Sequence, residues 1–475
     1  MTTSPTPIVS TRTLPEFRKS GDWLTTWTPE SPEFWAQTGG PIAWRTLTLT
    51  TCALVLSFST WFVFSALVVN FAGVGIRFSD DPKRNERLLF WLVAMPGLAG
   101  GTLRVAHTFL IPMFGTRRVI TLATLAKVIP CFGIGWAVMT PGTPYWVYVA
   151  LALLVGMGGG DFSSHMPSTS LFFPKRLQGT ALGIQAGVGN FGVCLTQFIT
   201  PWIIGVAALS VVTGSPQMLK IPGGEKAIWL QNAAYWYVPL LVLLAGFCWY
   251  GLKSVPVKAS FREQLDIFRN PHTWYCTLTY MMTFGSFSGF AAAFPMLIKS
   301  LYGGFGPESP NPLTYAFLGP LVGSAVRVAF GFVADRTGGA ILTHWAGLGM
   351  IAICIAMVFT GVLAPTSLDS FPLFVGLMLG LFFCAGVGNA STFRQFPMIF
   401  SRNPRQGAQV LGWTGAVAAY GPFLFSSAIG ETLSRTAASG AKSASPFFIA
   451  ASIFFAGAVA VNWYFYTRKG CPCPS

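Results

Sequence analysis

Long apolar runs alternate along this chain with short polar stretches. Twelve runs are legible: 46–72, 88–113, 119–139, 146–173, 179–206 and 236–252, then 273–300, 313–333, 340–363, 372–400, 408–430 and 446–466. Each is long enough to cross a hydrocarbon layer of about 30 Å as a helix. The longest polar interruption is 253–272 (KSVPVKASFREQLDIFRNPH), and it divides the runs six and six. The pattern predicts an all-α membrane protein with twelve transmembrane helices in two six-helix halves. Residues 1–45 form an N-terminal segment, 46–252 one bundle, 253–272 a central loop, 273–466 the second bundle and 467–475 a tail.

The halves echo one another. Arg104-Val-Ala is followed by Gly115, and Arg327-Val-Ala by Gly338, 223 residues further on. Gly158-Gly-Gly-Asp161-Phe-Ser-Ser164 returns as Gly386-Val-Gly388-Asn389-Ala-Ser-Thr392, and Gln178-Gly179 as Gln406-Gly407, each 228 residues on. A parallel repeat of six helices around a polar connection is a transporter architecture, with the substrate held near the bilayer midplane between the repeats.

Composition sharpens this picture. The chain is 52% hydrophobic and 9% charged, where a soluble domain carries about 25% charged residues. A net charge of +15 raises the possibility of nucleic acid, but the basic residues are scattered among short loops and build no basic face. Lysine and arginine are about twice as frequent in the segments on the side of the termini, which predicts that both termini are cytoplasmic. The first 45 residues lack a short basic stretch leading directly into an apolar core, so a cleaved signal peptide is not expected. Nine scattered cysteines suggest neither a disulfide framework nor a zinc site. No cofactor or metal is expected, and Cys471-Pro-Cys473 reads as an inert end.

Arg104 and Arg327 stand deep inside their spans. A guanidinium facing lipid at mid-helix costs about 3 kcal/mol or more. Both should therefore face inward, where Gly97, Gly100 and Gly101 beside Arg104, and Gly319, Gly323 and Gly331 in line with Arg327, let neighbouring helices close in. Two buried cations, one per half, point to an anion. Gly179, Gly183 and Gly187 recur every four residues with Asn190 on the same face. With Gly323 and Gly388 they are candidates for helix packing and gating.

Among the fifteen acidic residues, Asp161 alone falls inside a span, with His165 one turn further on. A carboxylate beside an anion site repels substrate unless it is protonated or paired. The sequence leaves open a proton-coupling role for Asp161 and His165 and a structural one. Lys127 and Arg394 lie nearer the ends of their spans, so reach favours snorkelling towards water or phosphate. His107 reads as a hydrogen-bonded wall residue.

Together these stretches resemble the bacterial nitrate/nitrite porters of the NarK type, within the major facilitator superfamily, over nearly the whole chain. The resemblance begins at Trp27-Thr-Pro-Glu-Ser-Pro-Glu-Phe-Trp35 and runs through both arginine spans and Thr283-Phe-Gly-Ser-Phe287. It continues through Ala385-Gly-Val-Gly-Asn-Ala-Ser-Thr-Phe393 to Leu411-Gly-Trp-Thr-Gly-Ala-Val-Ala-Ala-Tyr-Gly421. Ala334-Asp-Arg-Thr-Gly-Gly339 resembles the superfamily's signature loop, of which the first half keeps only Gly115-Thr-Arg-Arg118.

The resemblance implies that Arg104 and Arg327 hold a planar anion. It makes Phe162 and Phe284 aromatic walls, Tyr280 a hydrogen-bond donor and Asn190 part of the fifth-span signature. Asp161 departs from the asparagine usual at that place. The expectation is a monomeric secondary transporter exchanging nitrate and nitrite across the bacterial inner membrane by alternating access. Its partners are the two anions and the lipid bilayer, without nucleic acid. The alternatives are proton-coupled nitrate symport through Asp161 and His165, or a nitrate receptor. No nucleophile–base pair suggests an enzyme.

Overall fold

The computed structural model describes residues 22–221, 224–255 and 262–475. Helices dominate, and their starts follow from local chemistry. Asp81, Asn270, Asn311 and Asn403 each accept a hydrogen bond from a backbone N–H in the first turn, and a proline follows each of them. The side chain satisfies a donor that the helix leaves free, and proline occupies a place that needs none.

The first half contains Pro32–Val74, Pro82–Phe114, Thr116–Met139, Tyr145–Ser170, Lys175–Ile203 and Asn232–Gly251. The second contains Pro271–Tyr302, Gly306–Thr337, Gly339–Phe359, Leu368–Ile399, the pair Pro404–Ala418 and Gly421–Ala438, and Ser445–Thr467. Eleven of these spans among the described residues are apolar enough to cross a membrane on composition alone. The other, span 11, is interrupted at Ala419–Tyr420 and carries Glu431 and Arg435.

Several features depart from the sequence reading. The first helix begins well before residue 46, with Pro32–Phe34, a π-helical turn Trp35–Gly39 and then Gly40–Trp61. Between spans 5 and 6 lies an antiparallel hairpin, β1 (Gln217–Ile221) on β2 (Gly224–Ile228), in register Gln217↔Ile228. Span 4 is broken at Gly156 and Asp161, and span 7 carries a π-helical turn at Met281–Gly285.

The halves meet where span 2 packs on span 11 and span 5 on span 8. A Cβ added to Gly97 would lie 2.5 Å from the Phe423 nitrogen, so only glycine permits that approach. Gly187 plays the same part against Val328, at 2.8 Å. One and two turns along span 5 towards the face that carries the termini, a Cβ added to Gly183 or Gly179 would meet nothing within 4 Å, and neither would one on Gly331 or Gly412. The halves therefore diverge towards that face.

At the opposite face they are tied. Arg87 lies 3.7 Å from Glu431, Lys442 donates to Glu86 at 2.8 Å and Lys83 donates to the Ala437 carbonyl at 2.9 Å. Lys299 donates to the Val69 carbonyl. Large apolar side chains such as Phe247, Phe359 and Ile453 point away from the bundle, as a lipid-facing surface requires.

Candidate functional site

Arg104 comes from the middle of span 2 and is fully buried. Its Nε donates to the Gly159 carbonyl of span 4 at 2.7 Å, and its Nη1 to the Gly415 carbonyl of span 11 at 2.5 Å. Both acceptors belong to glycines, where the backbone can come close. Nη2 has no partner. The guanidinium carbon lies 4.4 Å from the centre of the Phe162 ring and 5.5 Å from that of Trp61. Trp61 is itself fixed by donating to the Pro96 carbonyl at 2.8 Å.

Arg327, from span 8, is 6% exposed, and neither of its terminal nitrogens has a partner. It lies 4.7 Å from the Phe393 ring. One ring joins the two cations: the Phe284 centroid is 5.4 Å from the Arg104 guanidinium and 6.0 Å from that of Arg327. Buried donors are nearly always satisfied. Three guanidinium nitrogens from opposite halves, around one aromatic wall, thus present donors suited to the acceptor atoms of a small anion.

The remaining candidates line up around this centre. Phe162 stacks on Phe58 at 5.9 Å, and Tyr280 on Phe284 at 5.4 Å with the planes 8° apart. The latter pair sits at the π-helical turn, four residues apart and on one face of the helix. The Tyr280 hydroxyl stands beside Arg327. Asn190 is buried with both amide atoms free, and so is Asn389, the repeat-mate of Asp161. Gly323 and Gly388 lie where span 8 meets Phe287 and span 10 meets Thr283, whereas Gly179 and Gly183 face open space. Away from the arginines towards the tied face, Trp61, Val93, Pro96, Ala292 and Pro422 close around a void of about 10 Å³.

Asp161 is paired, and its partner corrects the sequence reading. Lys127 does not snorkel: it is fully buried and its Nζ donates to Asp161 Oδ2 at 2.5 Å and to the Ala123 carbonyl at 2.8 Å. Ser57 donates to the same carboxylate oxygen at 2.8 Å, while Oδ1 has no partner. Helix Thr116–Ala126 ends just before Lys127, and that break turns the lysine inward. The one acid in a span was a signal that a buried base must answer it. His165 Nε2 lies 3.6 Å from Asp161 Oδ2, and neither ring nitrogen makes a hydrogen bond.

His107 is a wall residue of the expected kind. Ser164 Oγ gives its hydrogen to the His107 carbonyl at 3.0 Å, so His107 Nδ1 must donate to Ser164 at 2.8 Å. Arg394 is 41% exposed and lies 3.3 Å from Asp335 of the signature loop. Among the described residues no group of three or more His, Cys, Asp or Glu is placed to hold a metal.

A family profile described as Major Facilitator Superfamily matches residues 49–426. The chain is 54% identical to a probable nitrate/nitrite antiporter, NarK2, of Thermus thermophilus, over 96% of this chain and 98% of that one. It is 36% identical to the nitrate/nitrite transporter NarU of Salmonella typhimurium, over 94% and 96%. In fold it is similar to a bacterial homologue of the lysosomal transporter Spinster in an inward-facing, unoccupied conformation, with a TM-score of 0.66, 14% identity and coverage of 89% and 96%. It is also similar to the xylose transporter XylE of E. coli in a partially occluded inward-open conformation, with a TM-score of 0.63, 14% identity and coverage of 90% and 98%. A buried pair of arginines between two repeated six-helix halves, and relatives matched almost end to end, place the chain in the NarK-type nitrate/nitrite porter family of the major facilitator superfamily.

Proposed function

We propose that this protein exchanges nitrate for nitrite across the bacterial plasma membrane by alternating access, as a monomer with both termini in the cytoplasm. The observation that carries the reading is the set of free guanidinium nitrogens of Arg104 and Arg327 on either side of Phe284. Nitrate and nitrite are flat, weakly hydrated anions. A guanidinium presents coplanar donors that match such an ion, and ring edges complete the cage better than ring faces. The printed names of the relatives support the same substrates.

Exchange follows from charge. An empty site leaves two unpaired cations in a dry interior, which is costly. A bound anion offsets that cost, so the loaded carrier reorients more easily than the empty one and each turnover returns an anion. We place the working units at 46–252, with its first helix extended back to Pro32, and at 273–466, linked by 253–272, with both ends of the chain on the cytoplasmic side. Asp161 fits exchange better than a proton-carrying carboxyl, because the Lys127 ammonium already pairs with it.

The test is counterflow of labelled nitrate into proteoliposomes with and without internal nitrite. Uptake should require internal anion. Arg104→Lys and Arg327→Lys should each lower it at least tenfold, as loss of a charge-assisted hydrogen bond costs about 1.5–3 kcal/mol. Equal uptake into empty vesicles would remove exchange, and near-normal rates in either lysine variant would remove the clamp.

A further inference from the structure

Gly115-Thr-Arg-Arg118, which the first half keeps where the second has its signature loop, takes no part in holding the anion. Its two arginines open span 3 at the face that carries the termini, on a helix without a side-chain cap. Arg118 is exposed and lies 3.7 Å from the Asp22 carboxylate. The Arg117 guanidinium lies over the Trp249 ring of span 6, 4.3 Å from its centre, a cation–π contact between neighbouring spans. Its Nε is buried and has no hydrogen-bond partner among the described residues. Two arginines against one carboxylate leave a positive charge at this corner. Arg45 adds to it, exposed on span 1 one turn ahead of Leu49, whose side chain packs at Gly251 of span 6.

Deeper along the same spans the surface turns apolar. Leu122 and Leu125 follow Arg118 one and two turns on, along one side of span 3, and both are exposed. On span 6, which packs against span 3, Phe247 is exposed one turn deeper than Tyr250. Trp249 and Tyr250 mark the level of the headgroups, where such rings gather. A soluble anion would use the arginines and leave the apolar stripes uncovered. A phosphate head on acyl chains covers both.

We propose that this corner binds an anionic glycerophospholipid of the leaflet on the side of the termini. The phosphate lies between Arg117 and Arg118, and the chains run along Leu122, Leu125 and Phe247. The site is separate from the anion clamp and does not depend on the exchange reading. Paired phosphate oxygens match a guanidinium fork. The Trp249 ring already restrains one fork, so less freedom is lost on binding. With the phosphate in place, two arginines face two acidic groups and the local charge balances. A headgroup that carries its own ammonium brings no net charge and leaves the corner positive. The bound lipid bridges spans 3 and 6 where Ser254 accepts from the Arg117 backbone N–H.

The experiment is native mass spectrometry of the full-length protein from a neutral detergent, equilibrated with phosphatidylglycerol and phosphatidylcholine of the same chains. Phosphatidylglycerol should bind at least about fivefold more tightly, and Arg117→Gln or Arg118→Gln should each weaken it about fivefold, as one basic side chain near an anionic headgroup implies. Trp249→Leu keeps every charge, yet it should weaken binding about two- to fivefold, the range for an exposed cation–π contact. Arg176→Gln removes an exposed charge from the start of span 5 at the same face and should change nothing. Excess glycerol phosphate, which has the head without the chains, should not displace the lipid.

Equal binding of the two lipids by the unaltered protein would overturn the proposal without any variant. Displacement by glycerol phosphate would overturn it in favour of a site for a soluble phosphate. An equal loss in Arg176→Gln, or no loss in Trp249→Leu, would overturn it in favour of the general charge of the face. Nitrate enters none of these measurements, so their failure would leave the exchange reading standing.

Discussion

At the scale of single residues, the energetic centre of the first half is an ion pair rather than an isolated acid. Lys127 and Asp161 have essentially no contact with solvent, so removing one partner strands the other. Asp161→Asn should cost about 3–5 kcal/mol, whereas Asp161→Asn combined with Lys127→Met should come out near neutral. Thermal unfolding in detergent measures both. A single variant as stable as the unaltered protein would mean that the pair is far less desolvated than it looks.

Arg104, Arg327 and Asp161 were legible in the sequence because a charge inside an apolar run has few places to go. Lys127 was misread because reach along a straight helix ignores a break, and the helix breaks at that residue. The free nitrogens of Arg327 could not be read from the chain at all, since they depend on what spans 7 and 10 fail to offer.

At the scale of elements, the two halves solve one problem differently. In the second half, Asp335 in the last turn of span 8 reaches Arg394 of span 10. The same spacings of 223 and 228 residues lead back to Pro112 and Met166, neither of them charged. The first half instead recruits its N-terminal segment. Leu24 N–H donates to the Ser254 carbonyl and Ser254 N–H to the Asp22 carbonyl, both at 2.8 Å, Arg118 lies 3.7 Å from the Asp22 carboxylate and Ser254 Oγ accepts from the Arg117 backbone N–H at 3.3 Å.

Gly115, at φ 80°, allows the close approach of Ser254 there. Further along, Trp27 packs on Phe172 and Trp35 on Phe173, and Glu30 accepts from the Lys175 nitrogen that opens span 5. This strap ties spans 3, 4, 5 and 6 at the face where the halves diverge, so that the half can move as one body. Polar composition made residues 1–45 read as a segment outside the bundle; the aromatics in Trp27–Trp35 are what pin it there. Asp22→Ala with Glu30→Ala should lower stability by about 1–2 kcal/mol, the range for lost caps and partly exposed pairs. It should also slow counterflow while nitrate affinity stays unchanged. An equal loss of affinity and rate would place the strap's effect at the anion site instead.

At the scale of the whole molecule, the repeat made the twelve-span architecture readable, but no sequence pattern states which end is open. One sequence must support both arrangements, and they differ by only a few kcal/mol. Here the preference is written at the tied face, in pairs that cross between halves: Arg87 with Glu431 and Lys442 with Glu86. These groups are between a quarter and two-fifths exposed, so each pair contributes about 0.2–1 kcal/mol and is screened by salt. Together they can bias the equilibrium by roughly 1 kcal/mol, or about fivefold. The double change Glu86→Gln and Glu431→Gln should then raise the population open at this face by that factor. Ser65 is 2% exposed and lines the narrow void behind Trp61, so Ser65→Cys reports the opening through its rate of labelling by an impermeant maleimide. Labelling should quicken about fivefold in the double variant, and high salt should produce part of the same rise without it. If the glutamines leave the rate unchanged, the ionic pairs only decorate a closure held by glycine-to-backbone packing at Gly97 and Phe423, and widening that contact would be the change that shifts the balance.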